Sequence, residues 1–291
     1  LLEAGRCFVK RLVVWIPFSC ALMVMGIACC ENPDEMVTVP GGWFWQGCNP
    51  AVDDCYALMD SEHTFDTGPD EILIFETELP YRRLGIPAFE IDVHEVTVSS
   101  YDECVSEGKC IPPGTYDGRC NWGVSGREQH PVNCIDWNQA WGFCGWAGKR
   151  LCSESEWEKA SRGQDGQRYP WGNDLPTCAL AVMGGCGVNV ETLPVGSKPL
   201  GASPYGALDM SGNVWEWVED DYHVDYNGAP EDGSAWIEPR RSTMRVIRGG
   251  SVHDTHSREL FLRSSNRQAA FVDEPWLGYD LGFRCCRSFP D

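Results

Sequence analysis

Arg248-Gly249-Gly250-Ser251-Val252-His253-Asp254-Thr255-His256-Ser257-Arg258-Glu259 is the stretch from which the rest of the chain is read. Arg245 to Arg248 reads as a short strand ended by the Gly-Gly break. The residues after the break crowd together polar groups: His253, Asp254, His256 and Glu259 could bind a divalent metal or move protons. In an extended segment Asp254 and His256 share one face and His253 takes the other, so only part of the set can converge. The plainer reading is that these residues line a remnant pocket. Arg258, Arg263, Asn266 and Arg267 are candidates for holding an anionic or peptide ligand, and equally for salt bridges within the fold.

Three further blocks accompany this one: Trp146-Ala-Gly-Lys-Arg-Leu-Cys-Ser-Glu-Ser-Glu-Trp-Glu158, Asp209-Met-Ser-Gly-Asn-Val-Trp-Glu-Trp217 and Leu281-Gly-Phe-Arg-Cys285. A fifth element, Ile91-Asp-Val-His-Glu-Val-Thr97, precedes them. In order and spacing the set resembles the formylglycine-generating, or sulfatase-modifying-factor, family from about Met36 to Arg287. The resemblance implies an α+β fold, compact and loop-rich, related to C-type lectins and braced by disulfides.

It also implies an activity. Enzymes of the family hold Cu(I) on two cysteine thiolates, three and eight residues beyond the serine of Gly-Gly-Ser, and oxidise a substrate cysteine with O2. The same count here lands on Asp254 and Glu259. Hard carboxylate oxygens do not replace a soft dithiolate, so copper is not expected. The expectation is a pseudoenzyme that binds a peptide, protein or carbohydrate ligand. The alternative is an enzyme of the same superfamily that uses the Asp254/Glu259 pocket for another oxidation or a metal-assisted reaction. A serine hydrolase is disfavoured because the chain has no Gly-x-Ser-x-Gly elbow. The resemblance further implies a structural calcium ion, with side-chain oxygens from Asp209 and Glu216 and backbone carbonyls from Gly212 and Val214. Hard oxygen donors suit that ion.

The chain has 291 residues, and its formal net charge is -20. Residues 1–30 read as an export signal, because Arg6, Lys10 and Arg11 precede an apolar run from Leu12 to Ala28. That run contains Pro17 and is near the lower limit for a spanning helix, so a cleaved leader is favoured over a permanent anchor. Gly26-Ile-Ala-Cys29 looks like a bacterial lipoprotein cleavage site, which leaves lipidation at Cys29 and ordinary secretion both open. Either places the chain in the periplasm or on the cell surface. Without the leader, 20 basic residues stand against 42 acidic ones. A field of that sign repels phosphate backbones and anionic lipid, so neither nucleic acid nor a bare membrane surface is an expected partner. The family-like domain then spans 31–287, with an acidic, turn-rich insertion at about 49–87 and a tail at 288–291.

Sixteen cysteines are present, of which Cys7, Cys20, Cys29 and Cys30 fall in the leader. Twelve remain, an even number in an exported chain, and disulfides are the default expectation. The resemblance implies one bond, Cys144 to Cys285, and puts the family's second structural bond on Ser161 and Ser264, where both cysteines are missing together. By separation Cys48 pairs with Cys55, Cys104 with Cys110, Cys120 with Cys134 and Cys178 with Cys186. Cys152 and Cys286 are left as a sixth pair. Each short loop would contribute roughly 2 to 3 kcal/mol in the chain-entropy model.

Strand signals are short: Met36 to Trp45 around a Pro-Gly-Gly turn, Ala88 to Val98, and Arg245 to Arg248. Helices are expected at Ser99 to Glu107, capped by serine, at Trp137 to Gly148, and at Ser153 to Arg162, where Ser153 and Glu156 form a capping box. Glu156, Glu158 and Arg284 are expected to tie that helix to the last strand. The 31 glycines and 19 prolines imply much irregular backbone.

Overall fold

The computed structural model describes residues 35–53, 55, 76–115, 118–187, 191–254, 260–273 and 279–290. The expected leader with Cys29, much of the expected insertion, and His256, Arg258 and Glu259 lie outside the described residues. No helix among the described residues is long and apolar enough to cross a membrane.

Among the described residues, ten strands and three α-helices carry the fold. The strands are β1 (Met36–Val39), β2 (Gly42–Gln46), β3 (Arg82–Ile86), β4 (Phe89–Asp92), β5 (Arg150–Leu151), β6 (Trp215–Asp221), β7 (Met244–Arg248), β8 (Arg267–Phe271), β9 (Leu281–Phe283) and β10 (Cys285–Ser288). The helices are α1 (Val98–Ser106), α2 (Trp137–Trp146) and α3 (Glu154–Arg162). One antiparallel sheet has the order β1-β4-β10-β5, and a second has the order β8-β7-β6-β9 with β6 and β9 parallel. Strands β2 and β3 form a separate antiparallel pair. Thus β3 pairs with β2 although its sequence lies inside the stretch expected as an insertion. The fold is α+β and disulfide-braced, as the residues imply.

Two large apolar cores, with two small clusters beside them, fill the described residues. Tyr101, Phe143, Trp215, Trp217 and Phe283 centre one, and Phe44, Phe89, Trp157, Met210 and Val246 centre the other. Residues Cys285 and Cys286 are neighbours on β10 and point to opposite faces. Cys285 bonds Cys144 within the first core, and Cys286 bonds Cys152 within the second. One dipeptide therefore fastens both cores to the same strand. The four short-loop bonds, Cys48–Cys55, Cys104–Cys110, Cys120–Cys134 and Cys178–Cys186, are also present. Ser161 and Ser264, at the positions of the family's other bond, face each other with hydroxyls 2.7 Å apart in the interior. A hydrogen bond joins the positions that a disulfide would join.

Helix starts follow capping chemistry. In α3, Ser153 accepts from Glu156 N–H and the Glu156 carboxylate accepts from Ser153 N–H, which is the expected capping box. Helix α2 has a second box, Asp136 with Gln139. The cap of α1 is Thr97, whose Oγ1 accepts from Ser100 N–H at 3.1 Å, so the serines expected to cap lie inside the first turn. The Thr97 backbone is still extended, and that leaves its hydroxyl aimed at the open amides.

Helix α3 runs against amphipathic expectation, because every one of its residues is buried although most are polar. Its charges are matched in place. Glu154 takes a two-pronged bond from Arg267, Glu158 accepts from Arg162 and Arg248, and Glu156 pairs with Arg150. Lys159 donates to the carbonyls of Pro40 and Gly42. The expected Glu158 to Arg284 tie is not made. Arg284 binds Glu216 instead, because β9 runs parallel to β6 and brings the Leu-Gly-Phe-Arg block beside Glu216.

Candidate functional site

Strand β7 delivers Arg248 into the interior, where it donates to the carbonyls of Ser264, Ser265 and Asn266 and to Glu158. The backbone then turns through Gly249 (φ +97) and Gly250 (φ +71). A Cβ on Gly250 would stand 2.8 Å from the Phe261 carbonyl oxygen, so only glycine passes there. The turn buries Ser251 completely.

Ser251 organises the residues around it. Its N–H donates to Asp254 Oδ2 at 2.7 Å, and its hydroxyl lies 2.9 Å from Asp280 Oδ2 and 3.3 Å from Asp254 Oδ2. His253 N–H donates back to Ser251 Oγ. Asp254 is buried, and its carbonyl accepts from Gly184 N–H in the loop closed by Cys178–Cys186. Burial lifts the Asp280 carboxyl above the usual range, against the Ser251 hydrogen bond and the pull of His253. Asp280 is not among the residues expected at the site. Its place directly before the Leu-Gly-Phe-Arg block was the available signal.

His253 meets the Tyr279 ring edge to face at 4.8 Å, and the Arg119 guanidinium lies 3.4 Å over the same ring. Arg119, Arg127, Glu191, Thr192, Val252 and His253 border a cavity of about 30 Å³. Thr192 and Val252 also border a larger cavity of about 370 Å³, lined further by His130, Met183, Leu193 and Lys198. Val252 and His253, next to the buried Asp254, thus border a mixed polar and apolar groove.

Of the other pocket candidates, His256 and Arg258 lie outside the described residues, and Arg263, Asn266 and Arg267 follow the alternative of contacts within the fold. Arg263 is buried and makes a two-pronged bond to Glu78, Asn266 Nδ2 lies 3.4 Å from the same carboxylate, and Arg267 is committed to Glu154. Tertiary contacts from residues 78 and 154 turn these groups inward, so they hold the fold and do not line the groove.

The Asp209 to Glu216 segment is a tight turn. Asp209 (φ +55), Gly212 (φ +88) and Asn213 (φ +64) all occupy left-handed backbone, and a Cβ on Gly212 would come within 2.3 Å of the Val182 carbonyl oxygen. Asp209 Oδ2 accepts from Gly196 N–H at 2.6 Å. Glu216 is engaged elsewhere: Oε2 accepts from Trp157 Nε1 and Arg284 Nε, and Oε1 accepts from the second Arg284 arm. Beside Asp209 sits Glu95, three residues beyond the end of β4 and absent from the expected ligand set. Glu95 is fully buried and is hydrogen-bonded side chain to side chain with Asp209, a contact that two carboxyl groups make by sharing a proton. Burial, then the Asp209 charge, pushes the Glu95 carboxyl well above the usual range. Burial likewise raises Asp209, opposed by the Gly196 amide. Among the described residues no three His, Cys, Asp or Glu side chains form a ready metal cluster. Two carboxylates do meet here. With the Glu95 carboxyl pushed up, the pair carries a shared proton and one negative charge.

Residues 24–289 match the family model described as the sulfatase-modifying factor enzyme 1-like domain. The chain belongs to that family. It is 34% identical to the inactive C-alpha-formylglycine-generating enzyme 2 of Mus musculus, a match covering 98% of this chain and 94% of the mouse protein. It is 39% identical to the formylglycine-generating enzyme of Thermomonospora curvata over 56% of this chain, and spans 57% of that enzyme's length. The structure of PvdO from Pseudomonas aeruginosa superimposes with a TM-score of 0.68 at 29% identity, covering 87% of this chain and 94% of PvdO. Membership brings the fold with it; the chemistry depends on the residues described above.

Proposed function

We propose that this chain is an exported member of the sulfatase-modifying-factor family that does not carry out copper-dependent formylglycine formation and instead binds a peptide, protein or carbohydrate ligand. One observation carries the reading. All twelve cysteines from Cys48 onward are joined in six disulfides, so this region has no thiol pair left for Cu(I), and Asp254 occupies the first of the two expected ligand positions. Bonded disulfide sulfur is not a thiolate donor, and a carboxylate held by Ser251 is a hard one. The similarity to a mouse protein named as inactive, over nearly the whole chain, supports the same reading. The groove bordered by His253, Thr192 and Met183 is the proposed ligand site.

A structural calcium ion held by the Asp209 and Glu216 side chains and the carbonyls of Gly212 and Val214 belongs to the proposal. So do export to the periplasm or cell surface and a lipid anchor at Cys29. A second reading, an enzyme with oxygen ligands, draws on the two carboxylates of Asp254 and Asp280 flanking the Ser251 hydroxyl.

Copper analysis joined to an oxygen-consumption assay on cysteine peptides separates these readings from the parent activity. The expected result is no stoichiometric copper and no formylglycine. Copper at one per chain with aldehyde formation would overturn the proposal. Oxygen uptake or turnover supported by another divalent metal and abolished by Asp254→Asn would favour the second reading.

A further inference from the structure

We propose that the Cys178–Cys186 bond is a thiol-exchange site, at which a peptide or protein bearing an accessible cysteine is linked covalently and reversibly to Cys186. The inference goes beyond the ligand reading above and does not depend on it, because exchange with a small thiol requires no groove.

Exposure separates this bond from the other five. In each of those at least one cysteine is buried, and in four of them both are. Cys186 is exposed and Cys178 is half-buried. Exchange requires a line of approach to one sulfur, and a buried bond denies it. The two sulfurs of this bond also have unlike surroundings. Cys178 packs against the cluster of Tyr169, Met183 and Leu262, whereas Cys186 stands in the wall of the groove of about 370 Å³. An incoming thiolate therefore reaches Cys186, and Cys178 is the sulfur that leaves. Lys198 Nζ donates to the Cys178 carbonyl at 2.6 Å, which holds an ammonium at the residue that takes up negative charge. A cation beside a cysteine favours its thiolate and makes it a faster leaving group.

The step balances without an outside oxidant. A thiolate sulfur of the partner, its proton given to solvent, attacks Cys186 Sγ. The partner–Cys186 bond forms as the Cys186–Cys178 bond breaks, and the electron pair leaves on Cys178 Sγ. One disulfide is lost and one is made. The loop keeps its place meanwhile, because its other ties do not pass through sulfur. Gly184 N–H donates to the Asp254 carbonyl at 2.8 Å, and the Val182 carbonyl accepts from Asn213 N–H at 2.8 Å. Val182 and Met183 are themselves buried. Cys178 thus stays beside the mixed disulfide, and its return attack on Cys186 releases the partner.

The test treats the full chain, with all six bonds formed, with β-mercaptoethanol, an uncharged thiol, and separately with a short peptide of alanine and glycine around one cysteine. Samples quenched over time with N-ethylmaleimide are mapped by mass spectrometry without reduction. The expected early product carries the probe on Cys186 and maleimide on Cys178, with the other five bonds intact. Another bond opening first, the probe on Cys178 with maleimide on Cys186, or no opening of Cys178–Cys186 before the chain unfolds would each overturn the proposal. A peptide that stays unlinked while β-mercaptoethanol exchanges would overturn the peptide partner.

Lys198→Met should slow exchange with β-mercaptoethanol by about threefold or more, and Lys198→Arg should restore most of the rate. Rescue by the second cation separates the charge from a merely structural role. Equal rates for Lys198→Met and the parent chain would overturn the leaving-group role of Lys198.

Discussion

Helix α3 and the Glu95–Asp209 contact are both acidic and both closed to solvent, yet their charges are balanced in different ways. Around α3 the chain supplies its own counter-charges, and Glu154 and Glu158 are each held by buried guanidinium groups. At Glu95 and Asp209 the nearest guanidinium, Arg284, is already spent on Glu216 and three carbonyls. The difference teaches that burial of charge alone says little about function. Around α3 the acids stay charged because guanidinium groups meet them, while Glu95 and Asp209 settle their repulsion by sharing a proton.

The largest expected effect comes from breaking the self-balanced region. Glu158→Ala strands Arg162 and Arg248 together in the interior, and a loss of about 3–5 kcal/mol is expected in denaturant unfolding, or failure to fold. A loss below about 1 kcal/mol would mean that the network is better hydrated than its burial suggests. Next in size is a gain. Replacing Ser161 and Ser264 together by cysteine should restore a bond between positions already in contact and raise stability by about 2–4 kcal/mol. Mass spectrometry of the non-reduced variant should show the loss of two hydrogens, and free thiols at both positions would refute the expectation.

A smaller effect is expected at the neutral pair that closes Arg284 away from Glu95. Arg284→Lys keeps the charge but loses the fork that grips Glu216, and should cost about 1–3 kcal/mol. Unchanged unfolding free energy would show that the fork is dispensable.

The smallest effect sharpens the comparison through pH. Asp220, buried beside α3, has its carboxyl pushed up to about 7, mainly by burial and then by Glu154. Its folded value lies above its unfolded one, so its stabilising contribution is complete below about pH 4 and is lost as pH rises toward 7. Asp220→Asn should flatten the stability profile across that window relative to the parent chain. A carbon-13 titration of the Asp220 carboxyl with a midpoint near 4 would contradict this.

Much of the frame was legible in the amino-acid order. The capping box at Ser153, the six cysteine pairs and the Gly-Gly turn before Ser251 depend on local chemistry, on spacing, or on the resemblance of ordered blocks. The site was legible only in part. Asp254 could be found by counting from Ser251, but Asp280 comes from further along the chain and meets it only because β9 lies beside β6. Arg263, Asn266 and Arg267 read equally as pocket residues and as salt-bridge partners, because sequence proximity to Asp254 does not show where their side chains go. Glu78 and Glu154, far away in the chain, draw them inward.

The sequence by itself determined the family, the α+β class, the cysteine framework and the absence of a thiol pair at the expected copper positions, because each of these is a matter of residue identity and spacing. Only the tertiary structure decided which acid meets which base. Ion pairing in an interior depends on long-range packing that brings a limited number of N–H donors to a larger number of carboxylates. That competition leaves Glu216 paired with Arg284 and Glu95 hydrogen-bonded to Asp209.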